Sequence, residues 1–211
     1  MTLLQRSALW MTSAAWTFSV LSNFDCRFTK VNVGFHPANS ALETSEFGVG
    51  LWTFENVENR CVEYSTARYA GSVVGKGTHY RNWFMNNDTS WCMSRLSAFV
   101  SLISGLMAIS SLCIEQFFLT GRRRKLKQAK VTAIVTMFAL LSEIAKIISF
   151  FLTDLCMSQQ IWQLPTNDTI YGTNTSKAEK CSPGRGAIAC IVAILTYFIL
   201  LILSLKSTLN K

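Results

Sequence analysis

A chain of 211 residues with 50% hydrophobic and only 15% charged residues has too little polar surface to cover an ordinary soluble domain of its length. The formal charge of +8 points toward nucleic acid only until the basic residues are located. They collect beside apolar runs, which makes the bilayer the expected solvent and excludes nucleic acid as the expected partner.

A helix crosses about 30 Å of hydrocarbon with about 20 apolar residues. The first run, 8–24, has that length but carries Thr12, Ser13, Thr17, Ser19 and Ser22. Arg6 would serve a signal peptide as its basic flank, yet no clear small-x-small cleavage pattern precedes Asp25, so the expectation is a retained helix, with a signal peptide as the alternative. The segment 25–95 then alternates β-branched and other residues through Arg27, Thr29, Val31 and Val33 before the turn signal Pro37-Ala38-Asn39. Phe47 to Phe54 and Arg60 to Tyr69 are further strand candidates, so a small antiparallel sheet is expected in this loop.

The second run, 96–119, places Ser97, Ser101, Gly105 and Ala108 at near-helical spacing, small residues that admit a neighbouring helix. Arg122-Arg123-Arg124-Lys125-Leu126-Lys127-Gln128-Ala129-Lys130 follows as a basic hairpin, suited to anionic lipid headgroups. The third run, 131–152, holds Glu143 and Lys146. Ionisable groups at membrane depth cost about 2.5–3.5 kcal/mol each on insertion scales and mark ion or substrate pathways. At i and i+3 the two also neutralise one another, and Ser13, Thr17 or Ser101 are the expected hydrogen-bond partners. Glu115 is expected to reach Arg122 or headgroups. The segment 153–186 and a last apolar run, 187–205, complete the chain, and Trp10, Trp16, Trp83, Trp91 and Trp162 suit interfacial belts.

Two independent signals give the topology. The acceptor triplets at Asn87, Asn167 and Asn174 require the lumenal side, and the basic hairpin requires the cytosol. The expectation is an α-helical membrane protein, a four-transmembrane-helix bundle with a small antiparallel β-sheet in the first exoplasmic loop, exoplasmic loops 25–95 and 153–186, and both termini cytosolic. The excess positive charge falls on the cytosolic side, at Arg6, Arg122 to Lys130, Lys206 and Lys211. The membrane is the plasma membrane or an endomembrane.

Cys26, Cys61, Cys92, Cys156 and Cys181 lie in the exoplasmic segments, where disulfides form. Cys156 with Cys181 closes the second loop. Cys26 with Cys61 is expected because both sit in strand candidates, and Cys61 with Cys92 is the alternative. His36 and His79 lack metal-ligand spacing, no Cys-x-x-Cys occurs, and Ser182 to Gly186 reads as the turn that starts a helix. No catalytic, cofactor-binding or metal constellation is expected.

Gly50-Leu51-Trp52 with Cys61-Val62-Glu63-Tyr64 downstream, in a long first loop between two apolar runs, resembles the claudin and peripheral-myelin-protein superfamily. The resemblance implies a four-span plan, with the Gly-Leu-Trp motif and a cysteine-bearing strand in the headpiece. It departs where Glu55 stands in place of the family's first cysteine, a role in which Cys26 substitutes, and where the short tail leaves no scaffold-binding motif. It implies a non-enzymatic protein acting through headpiece contact with other membrane proteins or its own copies, as an adhesion molecule or accessory subunit. The alternative is a transporter or channel subunit that uses Glu143 and Lys146.

Overall fold

The computed structural model describes residues 3–35, 43–55, 60–63, 89–118, 121–153, 156 and 177–209. Asn87, Asn167, Asn174, His36, His79, Trp83, Trp162 and the Pro37-Ala38-Asn39 turn lie outside them. The described chain is mostly helical: α1 (Leu3–Phe24), α2 (Thr89–Phe117), α3 (Arg122–Phe151) and α4 (Arg185–Leu209). The strands are β1 (Thr29–Phe35), β2 (Glu43–Val49), β3 (Thr53–Glu55), β4 (Cys61–Glu63) and β5 (Lys177–Pro183).

Three helices are long and apolar enough to cross a membrane by length and composition: Thr89–Phe117, Leu126–Phe151 and Arg185–Lys206. Their large apolar side chains, among them Phe99, Ile103, Ile134, Phe138, Leu195 and Phe198, point outward, while the small Ser97, Ser101, Ala108, Ser111, Thr132, Thr136, Ala139 and Ala193 are buried. That inversion suits a lipid solvent, in which close approach of small residues replaces the hydrophobic effect. The hydroxyls within α1 lower its hydropathy, and it is not among the three.

The basic stretch is not a loop, as expected, but the first turns of α3. Arg, Lys, Gln and Ala are good helix formers, and the break falls earlier, at Gly121, whose φ of 140° favours a residue without Cβ. Thr89 also starts α2 ahead of its apolar run, because Trp91 and Ser94 are buried on that first part.

The strands form one antiparallel sheet in the order β4-β3-β2-β1-β5. Thr29 faces Val49 on one side and Pro183 on the other, so β1 is central, and the β1–β5 register shifts between Val31 and Val33. The expected strand Phe47–Phe54 is instead two strands, β2 and β3, with Gly50-Leu51-Trp52 forming the turn between them. The expected strand from Arg60 is β4, and Tyr64 to Tyr69 lie outside the described residues.

The chain divides into two compact units: Met1–Leu21, Leu96–Lys146 and Ala189–Lys211 make one, and Ser22–Arg95 with Ile147–Ile188 make the other. In the first, Ala15, Ala139, Leu140, Ala193, Tyr197 and Leu200 form a core. The second buries Phe28 against Phe150, centroids 4.6 Å apart, and Trp91 against Phe150 at 5.3 Å.

Candidate functional site: a buried ion pair and an anchored hairpin

In the first unit, Glu143 and Lys146 on α3 are both at 0% exposure, with Lys146 Nζ 2.6 Å from Glu143 Oε2. The thiol of Cys190 on α4 lies 3.0 Å from the same oxygen, and the Ser19 hydroxyl of α1 donates to the other, Oε1. Ser101 of α2 stands 3.1 Å from Ser19, placing a second hydroxyl behind the first. Both carboxylate oxygens are therefore satisfied inside a low-dielectric interior, where an unpaired charge is prohibitive. Glu143 precedes the end of α3 at Phe151 by about 12 Å of helix rise.

Ser13 and Thr17 were expected beside this pair. They are not: Thr17 is exposed and donates to the Ser13 carbonyl at 2.9 Å. The buried line of α1 is Thr12, Ala15, Ser19 and Ser22, whose steps of three, four and three residues trace one helix face. That spacing was the signal that could have selected Ser19. Cys190 left no such signal, since a lone cysteine in an apolar run reads as packing.

Below the pair, Trp16 Nε1 donates to the Leu102 carbonyl at 3.1 Å. A Cβ at Gly105 would lie 2.5 Å from Tyr197 Oη and 2.6 Å from Trp16 Cδ1. The small residues Ser97, Ser101, Gly105 and Ala108 are thus buried inside the chain's own fold. Farther along, Gln128 Nε2 donates to Ser111 Oγ at 2.7 Å, and Ser111 and Thr132 hydroxyls are 2.7 Å apart, tying α2 to α3. Glu115 is buried rather than open to headgroups, and its other expected partner, Arg122, has its side chain outside the described ones.

In the second unit, Val49 pairs with Phe54 and Gly50 N–H donates to the Thr53 carbonyl at 2.8 Å, so Leu51 and Trp52 form a two-residue tip. Leu51 is fully buried and Trp52 is exposed. A side chain at Gly50 would strike the Asp25 carbonyl and come within 2.8 Å of Cys26 Cα, which explains the glycine. Arg95 of α2 locks the tip: Nε donates to the Leu51 carbonyl at 2.8 Å, and its guanidinium lies 4.8 Å from the Trp52 ring and 5.5 Å from Trp91. Such stacking contributes about 0.5–1 kcal/mol where exposed. Trp91, expected at a membrane interface, is buried instead, and Trp16 turns its indole inward, whereas Trp10 is exposed.

Two disulfides close this unit, Cys26–Cys61 and Cys156–Cys181, as the cysteine placement predicts. The first joins the link between α1 and β1 to β4, and the second ties β5 to Cys156, beyond the end of α3. Cys92 is exposed and stays outside both. At the start of α4, Gly184 and Ala187 N–H groups donate to the Phe28 carbonyl at 3.0 and 3.2 Å, and Gly186 N–H donates to the Arg27 carbonyl at 3.0 Å. The glycine turn therefore spends its donors on the chain leading into β1, as a helix-starting turn does. No protein-family model matches the sequence, and no curated protein matches it.

Proposed function

We propose that this is a non-enzymatic four-span membrane protein, claudin-like in plan, whose disulfide-tied exoplasmic headpiece works by contact with another membrane protein or a second copy of itself. The carrying observation is that both loops supply strands to one sheet, each loop fastened by its own disulfide. Strands drawn from both loops into one disulfide-tied sheet present a shaped surface rather than a connecting tether. The Gly50-Leu51-Trp52 tip, gripped by Arg95, supports the resemblance at the position of the family's motif. Contacts of Trp16 and Ser19 with α2 and α3 support α1 as a retained fourth span, with the whole a bundle. In this reading Asn87, Asn167 and Asn174 bear glycans, the basic start of α3 meets anionic headgroups on the cytosolic side, and the membrane is the plasma membrane or an endomembrane.

The test is crosslinking at the surface of intact cells with a membrane-impermeant reagent. A defined partner, or a dimer, is expected to be captured by the wild-type chain and lost in Cys26→Ser/Cys61→Ser at unchanged surface level. Capture that survives loss of the disulfide overturns the headpiece reading. The transport reading rests on Glu143 and Lys146, and the saturation of both carboxylate oxygens favours a structural latch over a conducting group. Flux abolished by Glu143→Gln/Lys146→Gln, with delivery and capture intact, would replace the proposal with that alternative.

A further inference from the structure

We propose that the exposed face at the start of α3 holds one inositol phospholipid bearing ring phosphates, its headgroup on Arg124, Lys127 and Lys130 and its acyl chains along Val131, Ile134 and Phe138. This rests on the reading that places the start of α3 at the cytosolic surface. All three cations are exposed, and spacings of three residues keep them on one side of the helix. The opposite side is the packed one, carrying Ala129, Thr132, Thr136 and Leu140. The three apolar residues are exposed as well, and Ile134 and Phe138 follow Lys127 at seven and eleven residues, in line along the axis. One continuous stripe therefore changes from cationic to apolar, as a single lipid molecule changes from head to tail.

The direction of the cationic stretch selects the class of lipid. Arg124 and Lys130 are separated by about 9 Å of helix rise, and a membrane-crossing helix points that separation along the bilayer normal. Lipids with one phosphate place their charge at a single depth, so they would engage Lys130 and leave the outer cations to screening water. An inositol lipid carries its diester phosphate at the glycerol and its ring phosphates several ångströms farther out, which supplies anions at the successive heights of Lys130, Lys127 and Arg124. Arginine adds a planar fork for two phosphate oxygens.

Native mass spectrometry of the full chain in mild detergent tests this with short-chain phosphatidylinositol bisphosphate, short-chain phosphatidylserine and soluble inositol trisphosphate. The bisphosphate lipid is expected to bind about tenfold or more tighter than phosphatidylserine, with about a fivefold loss for Lys127→Gln and about a hundredfold loss for Arg124→Gln/Lys127→Gln/Lys130→Gln. Arg185→Gln, an exposed arginine at the start of α4, is expected to change nothing. Equal binding of the two lipids, or retention by the charge-depleted chains, overturns the proposal. Trisphosphate binding as tight as the lipid does so too, because the apolar half of the stripe would then contribute nothing. Should the triple variant misfold, the Lys127→Gln comparison decides alone. The underlying topology has a separate readout: Phe118→Cys in a Cys92→Ser background is expected to react with an impermeant maleimide only after permeabilisation. Labelling in intact cells would defeat the orientation while leaving the detergent binding result to stand on its own.

Discussion

Glu143→Gln leaves the Lys146 ammonium, at 0% exposure, without the carboxylate 2.6 Å away that balances it. Lys146→Met does the converse. Each single change is expected to destabilise the chain by about 3–5 kcal/mol, the cost of an uncompensated buried charge. Glu143→Leu/Lys146→Met removes both charges with similar volume and is expected to be far milder than either single variant, near neutral or stabilising. Thermal unfolding in mild detergent, with the folded fraction read by gel filtration, ranks the three. A double variant as damaging as the singles would mean that the pair does more than compensate itself. Ser19→Ala removes one donor to a charged acceptor and is expected to cost about 1.5–3 kcal/mol. At the hairpin, Arg95→Lys keeps the charge but loses the planar group stacked between Trp52 and Trp91. Faster amide exchange at Gly50 to Thr53, with a red-shifted tryptophan emission, is the expected consequence.

The helices were legible because length and apolar composition suffice where the solvent is lipid. Their ends were not. Trp91, Ser94 and Arg95 extend α2 through tertiary burial, and Arg122 to Lys130 are helical because no breaker interrupts them after Gly121. Strand β1 was legible from its β-branched alternation, whereas β5, Lys-Ala-Glu-Lys-Cys-Ser-Pro, has almost no intrinsic strand preference and takes its form from pairing with β1. Of the interior site, the charged pair announced itself, but its partners on other helices depended on rotational register. The disulfides were readable from cysteines placed outside the apolar runs, and they divide the work between elements. Cys26–Cys61 spans 35 residues and Cys156–Cys181 spans 25, so loop entropy gives each about 3.5–4 kcal/mol. Their local effects are expected to differ. Cys156→Ser/Cys181→Ser should expose β5 and the outer edge of β1 to hydrogen exchange while β3 and β4 keep their protection, and Cys26→Ser/Cys61→Ser should do the reverse. Uniform loss of protection in both variants would mean that the sheet opens as one unit.

Across the whole molecule, the proposed topology demands that Asn87 and Asn167 face the same compartment, because α2 and α3 intervene and two crossings return the chain to its starting side. Glycosidase treatment is therefore expected to collapse a mobility shift that Asn87→Gln reduces alone and Asn167→Gln/Asn174→Gln reduces independently. A shift confined to one loop would sink the paired crossing. The position of α1 is bound to the same argument through Glu143. With α1 retained, an epitope placed before Leu3 is expected to remain on the mature chain and to be reached by antibody only after permeabilisation. Cleavage ahead of Asp25 would instead remove Ser19, the hydroxyl that satisfies one carboxylate oxygen, and Trp16, the indole packed on Gly105. The mature protein would then carry an open interior beside a buried charge. Retention of that epitope and the stability cost of Ser19→Ala should therefore be observed together, since both follow from one packed helix. Loss of the epitope alongside an unchanged melting temperature in Ser19→Ala would dismiss α1 from the fold.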